Sequence, residues 1–381
     1  MKVGIESSLL FKPRTGVGQY AYKLTEAVSK IDSPIKFEVV RHYLPFRRFT
    51  PPIPPSSHLT YRIVRWFPPA VYFQVFKRLG RFLPYDLVAL RNYDAFLFFN
   101  FVMFNLRKKT AGIVAIHDLS YIHFPDYVQR KNLLYLRRFV PKSIIESRHV
   151  IAVSDFTKKD ILKNFEISAS KISVVPNAVD HKHYYPRPAN EVNRLRKKFD
   201  LPTKYILFVG TLEPRKNIVG ILEAYAELKP ELKSDYALVL AGGKGWNDES
   251  IGQKIAQLQA NQERIILPGY VTDEDLPVLY SGASLFVFPS FYEGFGIPPL
   301  EAMACGVPLI TSDNSSLPEV VGDAAIKIKA DATDDLSRQI AAVLTDQKLA
   351  ASLRAKGLTQ ARKFSWEKSA EQLIAVLEKL A

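Results

Sequence analysis

Short apolar runs recur along the chain, separated by stretches long enough for helices. In the second half they are Tyr205–Gly210 (YILFVG), Tyr236–Gly243 (YALVLAGG), Arg264–Tyr270 (RIILPGY), Ser284–Ser290 (SLFVFPS) and Pro308–Ser312 (PLITS). The first half repeats the pattern more loosely, with KVGIES, KFEVVRHY, DAFLFFNF, GIVAIHDLS and HVIAVSDF. Continuous apolar runs of this length predict strands buried on both faces. Helical spacing falls between them, over Val17–Lys30, Lys131–Arg148 and Asn217–Lys229, and the chain closes on a helical pair, Lys348–Phe364 and Ser365–Ala381. Strand and helix in alternation predict α/β architecture with parallel sheets, in two Rossmann-like halves. The Asn-, Pro- and Tyr-rich segment Val174–Pro188 marks the join. The predicted domains are 1–180, 181–364 and a last helix, 365–381.

The richest chemistry lies in PSFYEGFGIPPLEAMACGVPLITS, Pro289–Ser312, where seven residues separate Glu293 from Glu301. Gly294 and Gly296 mark a tight loop after the strand. Pro298 and Pro299 favour a helix start, because a missing N–H costs little there. Gly306 can end that helix. Glu293 is thus expected in a loop at a strand's C-terminal end, and Glu301 in the first turn of the next helix. Ligands of open parallel sheets bind at such strand ends. A helix N-terminus offers N–H groups to an anion, and carboxylates accept from hydroxyls, so the pair suits a ligand carrying both phosphate and hydroxyl groups. The plain alternative is that Glu301 only complements the helix dipole.

Other strand ends add candidates. In VGTLEPRKN, Arg215 and Lys216 follow Gly210 and could clamp a diphosphate, where two adjacent cations more often form a solvated face. KPRTGVGQYA brings Gly16 and Gly18 to a helix start and matches G-x-G-x-x-A. Yet about eight residues separate it from the first strand, and no acid ends the second strand to take a ribose, which counts against a nicotinamide cofactor. His117 and Asp118 end another strand; His117 could meet a ligand hydroxyl or be structural. The H-x-H of His181 and His183 lacks further zinc ligands, and Asp273–Asp275 fits a helix start, so both are expected to be structural.

Composition narrows the classes. The 381 residues allow two to three domains, and 47% hydrophobic with 24% charged residues is ordinary for a soluble globular protein. Cys305 stands alone, which excludes an intramolecular disulfide and a cysteine metal cluster, and it is expected to be a buried structural thiol. The N-terminal segment has no signal-peptide pattern, and Ala95–Phe104 is far short of the roughly 20 residues of a spanning helix, so a cytoplasmic chain is expected. The net charge of +14 is uneven: Met1–Asp180 holds 28 basic and 13 acidic residues, the remainder 24 and 25. A basic half points to an anionic partner. After Pro69, the residues Tyr72, Val75, Phe76, Leu79 and Leu83 share a helical face, with Lys77, Arg78 and Arg81 off it. That helix could lie in an anionic membrane interface or present a basic face to solvent. No nucleic-acid-binding module is visible.

Taken together, GTLEPRKN, the E-x7-E segment running on to SLPEVVGDAA, the early TGVGQY and the central HD resemble the glycosyltransferases of family 4 over nearly the whole chain. The resemblance implies the GT-B fold, with two Rossmann-like domains facing across a cleft and the last helix crossing back to the first. It also implies metal-independent, retaining transfer from a nucleotide-sugar, with no cofactor. Arg215 and Lys216 would hold the diphosphate and Glu301 the ribose. Glu293 and His117 would meet the sugar, and Gly16 the phosphate. Gly269 and Tyr270 would cradle the base, with Gly210, Gly294, Phe295 and Gly296 lining the donor. The short motifs look most like bacterial mannosyltransferases of polysaccharide assembly, which implies GDP-mannose, a glycan or lipid-linked acceptor and a peripheral place at the inner membrane face. A UDP- or ADP-hexose donor is the alternative. An oxidoreductase and a non-enzymatic polyanion-binding protein are the rivals from other classes.

Overall fold

The computed structural model describes residues 1–11, 16–42, 49–64, 84–88, 91–243, 245 and 249–380. The helix expected over Tyr72–Leu83 lies outside these residues. The chain divides into two compact units. One comprises Met1–Leu119, Arg130–Asn177 and Trp366–Ala381; the other comprises Ser120–Gln129 and Ala178–Ser365. Ser120–Gln129 departs from the sequence-based division by grouping with the second unit, and the last helix groups with the first.

In the first unit seven parallel strands are β1 (Lys2–Glu6), β2 (Lys36–His42), β3 (Leu59–Val64), β4 (Ala95–Phe98), β5 (Ala111–Ile116), β6 (His149–Ala152) and β7 (Ile172–Val174). They are ordered β3-β2-β1-β4-β5-β6-β7. The second unit has six, β8 (Tyr205–Val209), β9 (Ala237–Ala241), β10 (Ile265–Gly269), β11 (Leu285–Phe288), β12 (Leu309–Ser312) and β13 (Ile326–Ile328). Their order is β10-β9-β8-β11-β12-β13, again all parallel. Each sheet starts in the middle, winds outward and then reverses. The reversals fall between β1 and β4 and between β8 and β11, where loops leave the strand ends in opposite directions and open a crevice.

The central strands are apolar because helices cover both faces; β4, β9, β11 and β12 are buried throughout. Three strands that apolar runs do not predict, β3, β7 and β13, are all edge strands. An edge strand is covered less, so Leu59–Val64 alternates with Thr60 and Arg62, and the other two have only three residues each.

Near the second sheet's reversal, two glycines permit the backbone to close up. Gly242, just past β9, has φ +150, and a Cβ there would collide with the Gly210 carbonyl beyond β8. Gly210 donates its N–H to Ala241 O (3.0 Å) and Gly242 donates to Gly269 O (2.9 Å), which ties the three strand ends together. No helix among the described residues is long and apolar enough to cross a membrane.

The C-terminal helix Trp366–Glu378 is amphipathic, burying Trp366, Ala370, Leu373, Ile374 and Leu377 at helical spacing. It packs on the helix Gly16–Val28. The Trp366 ring lies 6.0 Å from Tyr20, and Ser369 Oγ donates to Pro176 O (2.9 Å). Leu373 is 1% exposed, so Leu373→Ala should lower unfolding stability by about 2–5 kcal/mol in urea titration. Glu371→Ala on the exposed face should change it by less than about 0.5 kcal/mol.

Candidate functional site

The loops leaving β8 and β11, neighbours at the reversal, build the site. After β8 the chain makes a 3-10 turn, Pro214–Lys216, and Asn217 follows with φ 55°. Asn217 caps the helix Ile218–Ala226 by accepting from Gly220 N (3.2 Å) and donates Nδ2 to Ala330 O (2.5 Å), so the turn is held at both sides. After β11, Glu293 donates its N–H to Ser315 Oγ (3.0 Å). Ser316 Oγ in turn donates to Glu293 O (2.9 Å) and Phe295 O (2.8 Å).

These braced loops bring Arg215, Lys216 and Glu293 together. Arg215 Nη1 lies 3.2 Å from Glu293 Oε2, and Lys216 Nζ donates to Glu293 Oε1 at 2.5 Å. Arg215 also donates Nη2 to Glu213 Oε1 (2.6 Å) and Nη1 to the Tyr292 carbonyl (2.5 Å). The side chains of Arg215, Lys216, Glu293 and Glu213 are only 16%, 12%, 10% and 2% exposed, which excludes a solvated face. Burial, aided by Arg215, pulls the Lys216 ammonium below its ordinary range, with Glu293 and Glu213 opposing. Burial pushes the Glu293 carboxyl up, but Lys216 and Arg215 together outweigh it and hold the carboxyl low. The result is a fixed, ionised cluster at the edge of the sheet.

Glu301 lies in a different environment. The helix is Ile297–Ala304, begun by Gly296 at φ 108° with Pro298 and Pro299 in its first turn. Glu301 is its fifth residue, not a first-turn residue as the sequence predicts, because the helix begins one residue before the prolines. That is past the reach of the N-terminal dipole, so dipole compensation is not its role. Tyr280 donates to Glu301 Oε2 (3.0 Å) and Tyr184 also hydrogen-bonds to it. Burial pushes this carboxyl up to about 7 against the pull of the two tyrosines, and Asp273 adds to the rise.

The other sequence candidates divide by unit. Gly294, Phe295 and Gly296 are buried in the loop between Glu293 and the helix, and Phe295 packs edge-on against Phe364 (5.7 Å). Gly210 directly follows β8, three residues before Glu213. Gly269 ends β10 with φ +73 and open space where a Cβ would be, and Tyr270 beside it is 73% exposed. In the first unit Gly16 opens its helix and is exposed. His117 follows β5, buried against Tyr20 (5.1 Å) and Phe101 (5.2 Å). Its Nε2 lies 2.8 Å from Phe99 O, which can only accept, so Nε2 carries the proton; burial lowers its pKa. His181 and His183 contact the carbonyls of Phe364 (3.1 Å) and Asp273 (2.7 Å). Asp275 pairs with Lys198 (2.6 Å) just before the helix Leu276–Ser281, and Cys305 is buried at a helix end.

Comparison with known proteins decides the family. Residues 15–183 match the model of Glycosyltransferase Family 4, and residues 190–362 match Glycosyl transferases group 1. O-antigen chain mannosyltransferase B of Escherichia coli is 37% identical over 287 residues, 75% of this chain and 75% of that protein. The chain belongs to the family 4 glycosyltransferases. A further relative, the serotype-specific mannosyltransferase WbdA of Escherichia coli, is 34% identical over 227 residues, 59% of this chain but only 28% of WbdA's length. Among solved structures, sucrose-phosphate synthase from Thermosynechococcus elongatus superposes over 100% of this chain and 99% of its own with a TM-score of 0.75 at 21% identity. The fold is accordingly that of the GT-B glycosyltransferases.

Five residues of this glycosyltransferase's site, Glu213, Ser315, Ser316, Tyr184 and Tyr280, are not singled out by the sequence. Glu213 precedes the Arg-Lys pair, but nothing local shows it to be the most deeply buried of the four charges. Ser315 and Ser316 lie 21 to 23 residues beyond the loop groups they bond. Tyr184, in the tyrosine-rich join, meets Glu301 only through the fold.

Because the Glu301 carboxyl is raised, its contribution to stability is present below the unfolded value of 4.5 and is lost as pH rises through about 7. Glu301→Gln should remove that loss. Between pH 4.5 and 8, urea unfolding should show the wild type falling by about 2 kcal/mol relative to the variant, partial exposure discounting the full shift.

Proposed function

We propose that this glycosyltransferase moves a mannosyl residue from GDP-mannose to a hydroxyl of a glycan or lipid-linked acceptor, with retention at the anomeric carbon and without a metal. The observation that carries the reading is the Arg215–Lys216–Glu293 cluster at the reversal of the second sheet. In the reaction the bond from the anomeric carbon to the diphosphate oxygen breaks, and a bond to the acceptor oxygen forms. The leaving diphosphate keeps the electron pair and the acceptor loses its proton. Charge therefore builds on the phosphate, where fixed cations stabilise it without reorganising. Arg215 and Lys216 are such cations, held in place before the donor arrives.

Glu293, next to them, is assigned to the donor sugar. Glu301 is assigned to the ribose hydroxyls, which would replace or extend its tyrosine donors. The loop backbone at Gly210 and at Gly294, Phe295 and Gly296 is assigned to the donor, and that at Gly269 and Tyr270 to the base. Gly16 and His117 are assigned to phosphate and sugar on the family resemblance alone. Mannose is supported by the two relatives above, both named mannosyltransferases. A lipid-linked acceptor at the inner face of a membrane accords with the basic excess of residues 1–180.

The test is calorimetric titration with GDP, UDP, ADP and NADPH, each with and without EDTA, followed by turnover with GDP-mannose and anomer assignment by NMR. Selective, EDTA-insensitive binding of GDP is expected. Preference for UDP or ADP would replace the donor, and binding of NADPH alone would sink the transferase reading. Arg215→Ala should lower kcat by about 10²–10³. Nucleotide binding should also release a proton near pH 7, because hydroxyl donors favour ionised Glu301. Affinity should therefore rise from pH 6 to 8, and the heat should vary with buffer ionisation enthalpy; Glu301→Gln should abolish both effects.

A further inference from the structure

The first unit carries a second charged feature, at the edge of its sheet opposite His117. β5 begins at Ala111 and the chain enters β6 at His149. A cavity of about 580 Å3 lies at these N-terminal ends. Ligands of parallel sheets bind at the other edge, so this cavity is not explained by the donor. Four cations, Arg107, Lys108, Lys109 and Arg148, line it against one acid, Glu146.

The cations differ in how they are held. Arg107 Nε is anchored by Asp86 (2.8 Å), a fully buried carboxylate that also accepts from Thr110 Oγ1 (2.7 Å). Lys109 Nζ donates to Asn92 Oδ1 (3.0 Å). Among the described residues no hydrogen bond or ion pair holds the side chain of Lys108 or of Arg148, and both residues are exposed. The one acid is engaged elsewhere, 3.8 Å from Lys142. A second sign of surplus positive charge is His149, which burial, with Lys158, Lys171 and Arg148, brings down to about 4.

We propose that this cavity binds a phosphate group, presented by an anionic phospholipid or by a soluble phosphate compound. Arg107 offers a braced guanidinium and Lys108 and Arg148 bring unspent charge, the combination that recognises phosphate. Ile145, 57% exposed, directly precedes the lining residue Glu146, and Lys171 donates to its carbonyl (2.6 Å), so an exposed apolar side chain and a further cation adjoin the lining for a lipid source. The site stands independently of the donor reading.

The test uses the full chain, with saturating GDP filling the Arg215–Lys216 diphosphate site, in two arms, flotation with vesicles of phosphatidylcholine containing phosphatidylglycerol and titration with inorganic pyrophosphate. Lys108→Glu/Arg148→Glu should weaken binding at least tenfold in the arm that binds, with GDP affinity and melting temperature unchanged. Arg194→Glu/Lys197→Glu, an equal charge change on an exposed helix of the other unit, should leave it within twofold. If the reversal variant misfolds, Lys108→Ala/Arg148→Ala should still lose at least threefold. Binding in the vesicle arm identifies a lipid source and binding in the pyrophosphate arm a soluble one. No binding in either arm, binding indifferent to the cavity variants, or equal loss in the control would overturn the proposal.

Discussion

Buried charge must be paired, and the second unit is organised around that constraint. Arg215, Lys216, Glu213 and Glu293 come from two loops far apart in sequence and have little access to water. Removing any one would leave another desolvated and unbalanced, a far larger cost than losing a surface pair. The cluster can exist only because β8 and β11 are neighbours, which the doubly wound strand order makes them. The serines behind Glu293, the Asn217 cap behind Lys216 and the glycine contact between Gly210 and Gly242 all hold the two loops in the register that the charges require. The same preorganisation makes the cluster chemically useful: its cations are in place before any phosphate arrives.

Within one loop-and-helix segment two carboxylates are driven in opposite directions. Glu293 faces cations and is held ionised. Glu301 faces phenolic hydroxyls and titrates near neutrality. Such divergence marks groups with different tasks. A permanent anion suits the positioning of cations and a sugar, whereas a carboxyl near its titration point takes up hydroxyl donors readily.

Much of this was legible in the sequence. Continuous apolar runs located the ten strands that are not weak edges, and glycines with a proline pair located the loop and helix after β11. The edge strands β3, β7 and β13 escaped because incomplete cover relaxes the demand for apolar side chains. Spacing put Glu301 one turn too early, since Pro298 and Pro299 accept any place in a first turn and do not fix its start. Tyr280 and Tyr184 gain their roles by meeting Glu301 across 21 and 117 residues of sequence, and Lys216 meets Glu293 across 77, which no local pattern encodes; Glu213 bonds Arg215 two residues on, but its deep burial comes from the fold.

The most direct measurement is a crystal structure of the protein with GDP-mannose or an inert analogue bound. The account predicts the diphosphate within hydrogen-bond distance of Arg215 and Lys216, with Lys216 Nζ turned from Glu293 toward phosphate and the ribose hydroxyls on Glu301. A diphosphate bound elsewhere, with the Lys216–Glu293 pair intact and Glu301 still closed by its tyrosines, would contradict it.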